Sequence, residues 1–145
     1  MKLTGSFYPV IIIATMMVSA CASKTEEARD AEHGHGHDEA GVWVEMDEFH
    51  MIMVETFHPY KDSTNLEPAK KRASELMTAA DEWASADLPD KVNTAEVKAK
   101  LRQLKSEAVT LAESVKSADD NVIGEQLTRL HDTFHEIQEA WYAGH

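Results

Sequence analysis

Residues 42–58 read VWVEMDEFHMIMVETFH, and this stretch decides the fold of the chain. Its apolar residues recur three or four positions apart, the spacing of one face of an α-helix: Val42, Met46, Phe49, Met53 and Phe57. His50 stands on the edge of this stripe, and Asp47 precedes it by about one turn. Because Pro59 disfavours helical geometry at the residue before it, we expect the first helix to end at His58.

Three further helical stripes follow. The second, over about 66–86, is rich in alanine and comprises Leu66, Ala69, Ala73, Leu76, Ala80 and Trp83. The third, over about 94–116, comprises Val97, Leu101, Leu104, Ala108, Leu111 and Val115. The fourth, which ends near residue 142, comprises Ile123, Leu127, Leu130, Phe134, Ile137 and Trp141. Four such stripes, mostly short loops and no strand pattern predict an all-α, antiparallel up-down-up-down four-helix bundle over residues 41–145.

The first 20 residues have the pattern of an export signal, with Lys2 near the start, an apolar run and small residues before a Cys. The motif Val18-Ser19-Ala20-Cys21 resembles the lipobox of bacterial lipoproteins. That resemblance implies a signal peptide over 1–20, cleavage before Cys21, and membrane attachment through acyl chains on Cys21. Since the next residue is Ala22 and not Asp, it also implies the outer membrane, facing the periplasm. The alternatives are an ordinary signal peptide with an incidental Cys, or an uncleaved membrane helix.

A flexible tether is expected over residues 21–40, because this stretch lacks apolar periodicity and is rich in charged residues, Ala and Gly. It contains three histidines that alternate with glycine, His33, His35 and His37. Alternating imidazoles of this kind are a compositional sign of metal binding, so we expect weak capture of Zn, Ni or Cu. The alternative is a solvated linker in which the histidines are incidental.

Composition excludes several classes of function. Cys21 is the only Cys, so the chain has neither a disulfide framework nor a Cys-based metal site. The formal net charge of −12 argues against a nucleic-acid partner. The sequence shows no Ser/His/Asp or Cys/His set from which catalysis could be argued, so we do not expect an enzyme. The sequence identifies no protein partner.

The fourth helix carries two histidines, His131 and His135, spaced i, i+4 so that both reach a shared ion from one helix face. In the predicted topology the first and fourth helices are antiparallel neighbours. Placing His50 opposite His131 brings Asp47 level with His135. Three imidazoles and a carboxylate suit Zn²⁺, Cu²⁺ or Ni²⁺, and these four residues are the predicted metal site.

The same register places Phe57 over Gly124, a large residue over a small one. The opposite bundle handedness would bring the other helix edges together and leave the histidines as surface residues. A copper(I) site that uses Met46 and His50 is a further alternative to core packing of that methionine.

A loose resemblance to four-helix cytochromes of the c-prime and soluble b types gives a different hypothesis. Where the c-prime type carries CxxCH, residues 131–135 read HDTFH, so covalent haem attachment is excluded. The b-type resemblance implies Met46 and His135 as haem b ligands in an electron-transfer or gas-binding protein.

The function we expect first is an envelope lipoprotein that sequesters or delivers a transition metal. The remaining alternative is a structural or interaction module without a site.

Overall fold

The computed structural model describes residues 41–143. The predicted signal peptide and tether, with Cys21, His33, His35 and His37, lie outside the described residues. Within the described range the predicted all-α four-helix bundle is confirmed, and no strand is present. Its helices are α1 (Val44–Ser63), α2 (Glu67–Ser85), α3 (Ala95–Ser114) and α4 (Asp120–Ala143), with a short 3₁₀ turn at Asp90–Val92. None of these helices has the length and apolar character needed to cross a membrane.

Helix α1 continues through Pro59 and ends at Ser63, so the expectation that it ends at His58 was wrong. Its last turn is closed by a left-handed residue, Thr64, with φ of 55°. The Thr64 N–H donates to the carbonyl of Tyr60 at 2.7 Å, and the next amide donates to the Pro59 carbonyl at 3.1 Å. These hydrogen bonds satisfy two of the carbonyls that the helix end leaves without an intrahelical donor. The loop to α2 is therefore only residues 64–66.

The predicted stripes of α2 and α4 are buried at every position. In α3 the predicted stripe is buried as far as Leu111. Beyond that residue Ala112 is buried, whereas the predicted Val115 is only half-buried. These apolar side chains form one continuous core.

The start of α1 differs from the sequence-based expectation. Trp43 is fully buried, whereas Val42, which the predicted stripe includes, is 52 % exposed. Trp43 precedes the first helical turn in extended geometry, with φ −112° and ψ 97°. Its indole packs against Trp83 at 5.1 Å and Trp141 at 5.4 Å between ring centroids. This tryptophan cluster closes the end of the bundle where α1 begins and α4 ends.

Helices adjacent in sequence pack closely, helped by the alanines of α2 and α3. Each of these three interfaces also carries an inter-helix ion pair: Glu55 with Arg72, Asp81 with Lys105, and Lys100 with Glu136. The interface between α1 and α4, which we call the α1/α4 seam, is different. These two helices approach less closely, and within residues 41–143 no ion pair joins them.

Candidate metal centre

The α1/α4 seam is filled by a series of neighbouring rings. His131 of α4 stacks on Phe57 of α1, with ring centroids 3.7 Å apart and 14° between the planes. His50 of α1 stacks in turn on Phe134 of α4, at 5.0 Å and 20°. Between them lies His135, 4.4 Å from His131 and 5.5 Å from Phe134. The series Phe57–His131–His135–Phe134–His50 thus passes from α1 to α4 and back, and we call it the ring series.

The predicted register, with His50 opposite His131, was wrong. Gly124 faces Tyr60 and not Phe57, a shift of three residues along α1. His50 accordingly lies against Phe134. The shift amounts to about 4.5 Å along the helix axis at 1.5 Å per residue. Its physical cause is the extra turn of α1, because the helix that continues past Pro59 brings the larger Tyr60 ring over the glycine.

His131 and His135 form a close pair on α4. Their Nε2 atoms lie 3.1 Å apart, so that one imidazole donates a hydrogen bond and the other accepts it. Helical geometry places residues four apart on the same face, which brings the two rings together without distortion of the backbone. For metal–nitrogen bonds of about 2.05 Å, this separation corresponds to a nitrogen–metal–nitrogen angle of about 98°. That angle lies between the values for octahedral and tetrahedral coordination, so both nitrogens can bind one ion with little rearrangement.

Burial keeps His131 neutral over a wider pH range than an exposed histidine. Its side chain is only 20 % exposed, and burial is the largest cause of a pKa lowered from the ordinary 6.5. The neighbouring His135 lowers the pKa further, and Lys61 adds to this, whereas Asp132 acts in the opposite direction. Because imidazole binds metals in its neutral form, the lowered pKa favours the metal-binding state of His131.

The other ring nitrogen of His131, Nδ1, would need a hydrogen-bond acceptor when a metal is bound. Its Nδ1 atom is buried without a hydrogen-bond partner, and the nearest carboxylate oxygen, Oδ1 of Asp132, is 3.6 Å away. If Nε2 of His131 binds a metal, the ring proton must be on Nδ1, directed away from the ion. Metal-bound histidines usually donate this proton to a carboxylate or carbonyl. A small movement of Asp132 would provide that acceptor.

The other two predicted ligands do not join this pair. Asp47 is exposed on α1, and the His50 ring lies flat on Phe134. In the part of the chain that the structure describes, no group of three or more His, Cys, Asp or Glu side chains is arranged to hold a metal ion. The structure therefore brings together two of the four predicted ligands, His131 and His135.

The two residues of the haem hypothesis lie in different environments. Met46 is buried in the core, whereas His135 is exposed and its Nε2 is directed to His131. The core near them is occupied by the fully buried rings of Phe49 and Phe134, 5.7 Å apart. The copper(I) alternative shares Met46, whose partner His50 is engaged in its stack on Phe134.

Sequence reasoning missed the two phenylalanines that hold the imidazoles. Phe57 and Phe134 were assigned to the core, and both are buried there, yet each also supports a histidine of the facing helix. A signal was present, because a histidine at the edge of one stripe lies beside the large residues of the opposite stripe. To identify which phenylalanine lies beside which histidine, the correct register of α1 against α4 was needed.

Comparisons of the chain with protein-family models, with curated proteins and with solved structures find no significant match.

Proposed function

We propose that this chain is an envelope lipoprotein that binds a transition metal ion, Zn²⁺, Cu²⁺ or Ni²⁺, through His131 and His135. One observation carries the proposal, the 3.1 Å separation of the two Nε2 atoms on adjacent turns of α4. Two neutral imidazoles at this distance can direct their lone pairs at one ion. The lowered pKa of His131 supports binding near neutral pH, since fewer protons compete with the metal.

The chemistry of the chain narrows the class of ion. Imidazole suits Zn, Cu and Ni, whereas Ca²⁺ and Mg²⁺ prefer oxygen ligands. A formal net charge of −12 attracts cations in general towards the surface. We therefore propose that the acidic surface concentrates cations and that the imidazole pair selects among them.

Sequestration or delivery of the ion is the role we propose, as opposed to catalysis. The lipobox-like motif that ends in Cys21 supports a membrane anchor in the cell envelope. Ala22, the residue that follows it, favours the outer membrane. Between the anchor and the bundle, His33, His35 and His37 are a second set of imidazoles. A chain of this design would collect ions through the tether and hold one at the bundle.

Metal analysis tests this proposal directly. The chain from residue 22 to 145, purified without an affinity tag, is dialysed against Zn²⁺, Cu²⁺ or Ni²⁺ and its metal content and visible spectrum are measured. To separate the tether from the bundle, the same measurement uses a background in which His33, His35 and His37 are alanine. In that background we expect stoichiometric metal that is lost when His131 and His135 are both replaced by alanine.

The matched control is His58→Ala, which removes an exposed histidine of α1 and leaves the pair intact. This variant should retain its metal. Equal metal content in the control and in the double variant would refute the proposal. A Soret band in the purified chain would replace it with the haem hypothesis.

A further inference from the structure

The pair on α4 supplies only half of a usual coordination sphere. Zinc in proteins is held by four ligands in structural sites and by three protein ligands in catalytic sites. Within residues 41–143 no third His, Cys, Asp or Glu joins the pair. The nearest carboxylate, that of Asp132, approaches Nδ1 of His131 and so lies on the wrong side of the ring to bind the same ion. Any further protein ligand must therefore come from outside residues 41–143 or from another chain.

The surface on which the pair lies is unusual for this acidic chain. Five at least partly exposed positions of α4 share one line along the helix, spaced three, four, three and four residues apart, and we call this line the α4 strip: Thr128, His131, His135, Gln138 and Tyr142. None of the five carries a formal charge, although the chain has 26 acidic residues. Tyr142 is 59 % exposed, about 10 Å along the axis from His135 at 1.5 Å per residue. An uncharged line with an exposed aromatic ring is suited to contact with another protein surface.

We propose that a second copy of this chain completes the metal site, so that two His131/His135 pairs enclose one ion in a four-imidazole sphere. This proposal rests on the proposed function, because it concerns the same two histidines. A two-fold axis through the ion would relate the copies and bring the same strip of each against the other. Each pair already has a spacing that fits one edge of a four-coordinate site, so each chain needs little rearrangement.

Charge makes this association dependent on metal. Each copy carries a formal net charge of −12, so two copies repel one another when no cation is present. The uncharged α4 strip reduces the repulsion locally, and the ion supplies both positive charge and directed bonds. We therefore expect a monomer without metal and a dimer with one ion for each two chains.

Sedimentation velocity combined with Zn²⁺ titration tests this proposal. The chain from residue 22 to 145 is stripped of metal with a chelator and titrated with Zn²⁺, in parallel with a variant in which His33, His35 and His37 are alanine. Both forms should be monomeric without metal and dimeric at half an equivalent of bundle-bound zinc per chain. His135→Ala should remain monomeric at every zinc concentration, whereas His58→Ala should dimerise as the parent does.

The outcomes separate this inference from the proposed function. Bundle-bound zinc at one equivalent per chain, whether in a monomer or a dimer, would overturn the shared site and leave the metal-binding function intact. Dimerisation that disappears with the tether histidines would likewise overturn it and assign the missing ligands to the tether. Absence of bundle-bound zinc would refute the proposed function itself, and a dimer that persists in His135→Ala would show an interface unrelated to metal.

Discussion

At the scale of single residues, the imidazole of His131 makes two contacts that both affect its protonation. One face of its ring lies against Phe57, and its Nε2 atom lies beside that of His135. Both arrangements favour the neutral ring, since a charged imidazolium would lose solvation in the seam and be repelled by a charged neighbour. The lowered pKa of His131 is the expression of that preference.

The lowered pKa predicts how stability depends on pH. As pH falls below 6.5, the unfolded chain takes up a proton at His131 while the folded chain resists protonation. Because the unfolded state then binds more protons, the free energy of unfolding should decrease until pH reaches the folded pKa. Urea denaturation of the metal-free chain at several pH values between 7.5 and 5 measures this slope. His131→Gln should make it shallower, and an equal slope in the parent and in His131→Gln would contradict the prediction.

Asp132 offers a second prediction at this scale. If its carboxylate accepts the Nδ1 proton of metal-bound His131, Asp132→Asn should weaken metal affinity by about 10–100-fold, the usual effect of losing such a partner. Glu139→Gln, which removes an exposed carboxylate further along α4, is the control and should change affinity little. Competition with a coloured chelator measures both. An Asp132→Asn variant with parental affinity would show that the carboxylate does not orient the ligand.

At the scale of helices, the register of α1 against α4 depends on Tyr60 and Gly124. A Cβ atom added at Gly124 would lie 2.7 Å from Cζ and 2.8 Å from Cε2 of Tyr60, so the ring would have to move. In an open helix surface, glycine to alanine stabilises by about 1 kcal/mol. Gly124→Ala should therefore show this gain in a Tyr60→Ala background but not in the parent. A double-mutant cycle by urea denaturation measures the difference, and additive effects would mean that the two residues do not set the register.

How far the sequence predicts this fold is clear from particular helices. Apolar period alone identified every buried apolar side chain of α2 and α4, because a bundle helix must bury one continuous stripe. It failed at both ends of α1, where Trp43 enters the core from extended backbone and Pro59 is accommodated within the helix. Periodicity describes a helix interior, whereas the ends depend on caps and on tertiary contacts that a single stripe does not encode.

The candidate site was predicted less completely for a related reason. The close approach of His131 and His135 follows from spacing within one helix, so sequence suffices for it. The positions of Asp47 and His50 relative to that pair depend on how two helices slide past each other. The expectation that a large residue of α1 packs over Gly124 was useful for setting the register. Because α1 was predicted to end at His58, however, Tyr60 was not considered as that residue. One misplaced helix end therefore displaced the predicted site by nearly a turn.

At the scale of the whole molecule, the core and the site should respond separately to mutation. Phe134 is fully buried and contacts Phe49 and Trp83 as well as the two histidines beside it. Phe134→Ala should lower the free energy of unfolding by about 3–5 kcal/mol, a large part of the stability of a small domain. Thermal and urea denaturation measure this loss, and an unchanged melting temperature would contradict the core assignment.

Replacement of both His131 and His135 by alanine is the complementary test. The bundle should remain folded, with parental helix content by circular dichroism, because neither side chain belongs to the buried core. Loss of helicity in that variant would show that the pair is structural and would remove the basis for separating site from scaffold.

The tryptophan cluster has a consequence for the connectivity of the chain. Since the rings of Trp43 and Trp141 lie 5.4 Å apart, the first and last helices of the bundle begin and end at the same pole. A short Gly/Ser linker could join the two ends, and new ends could be opened in the exposed turn near Ser117. Such a circular permutant should fold with parental helix content by circular dichroism, whereas a helix-poor product would show that chain order matters. The bundle is then defined by which helices are neighbours and not by which is made first, and a membrane tether could leave the same pole from either end of the sequence.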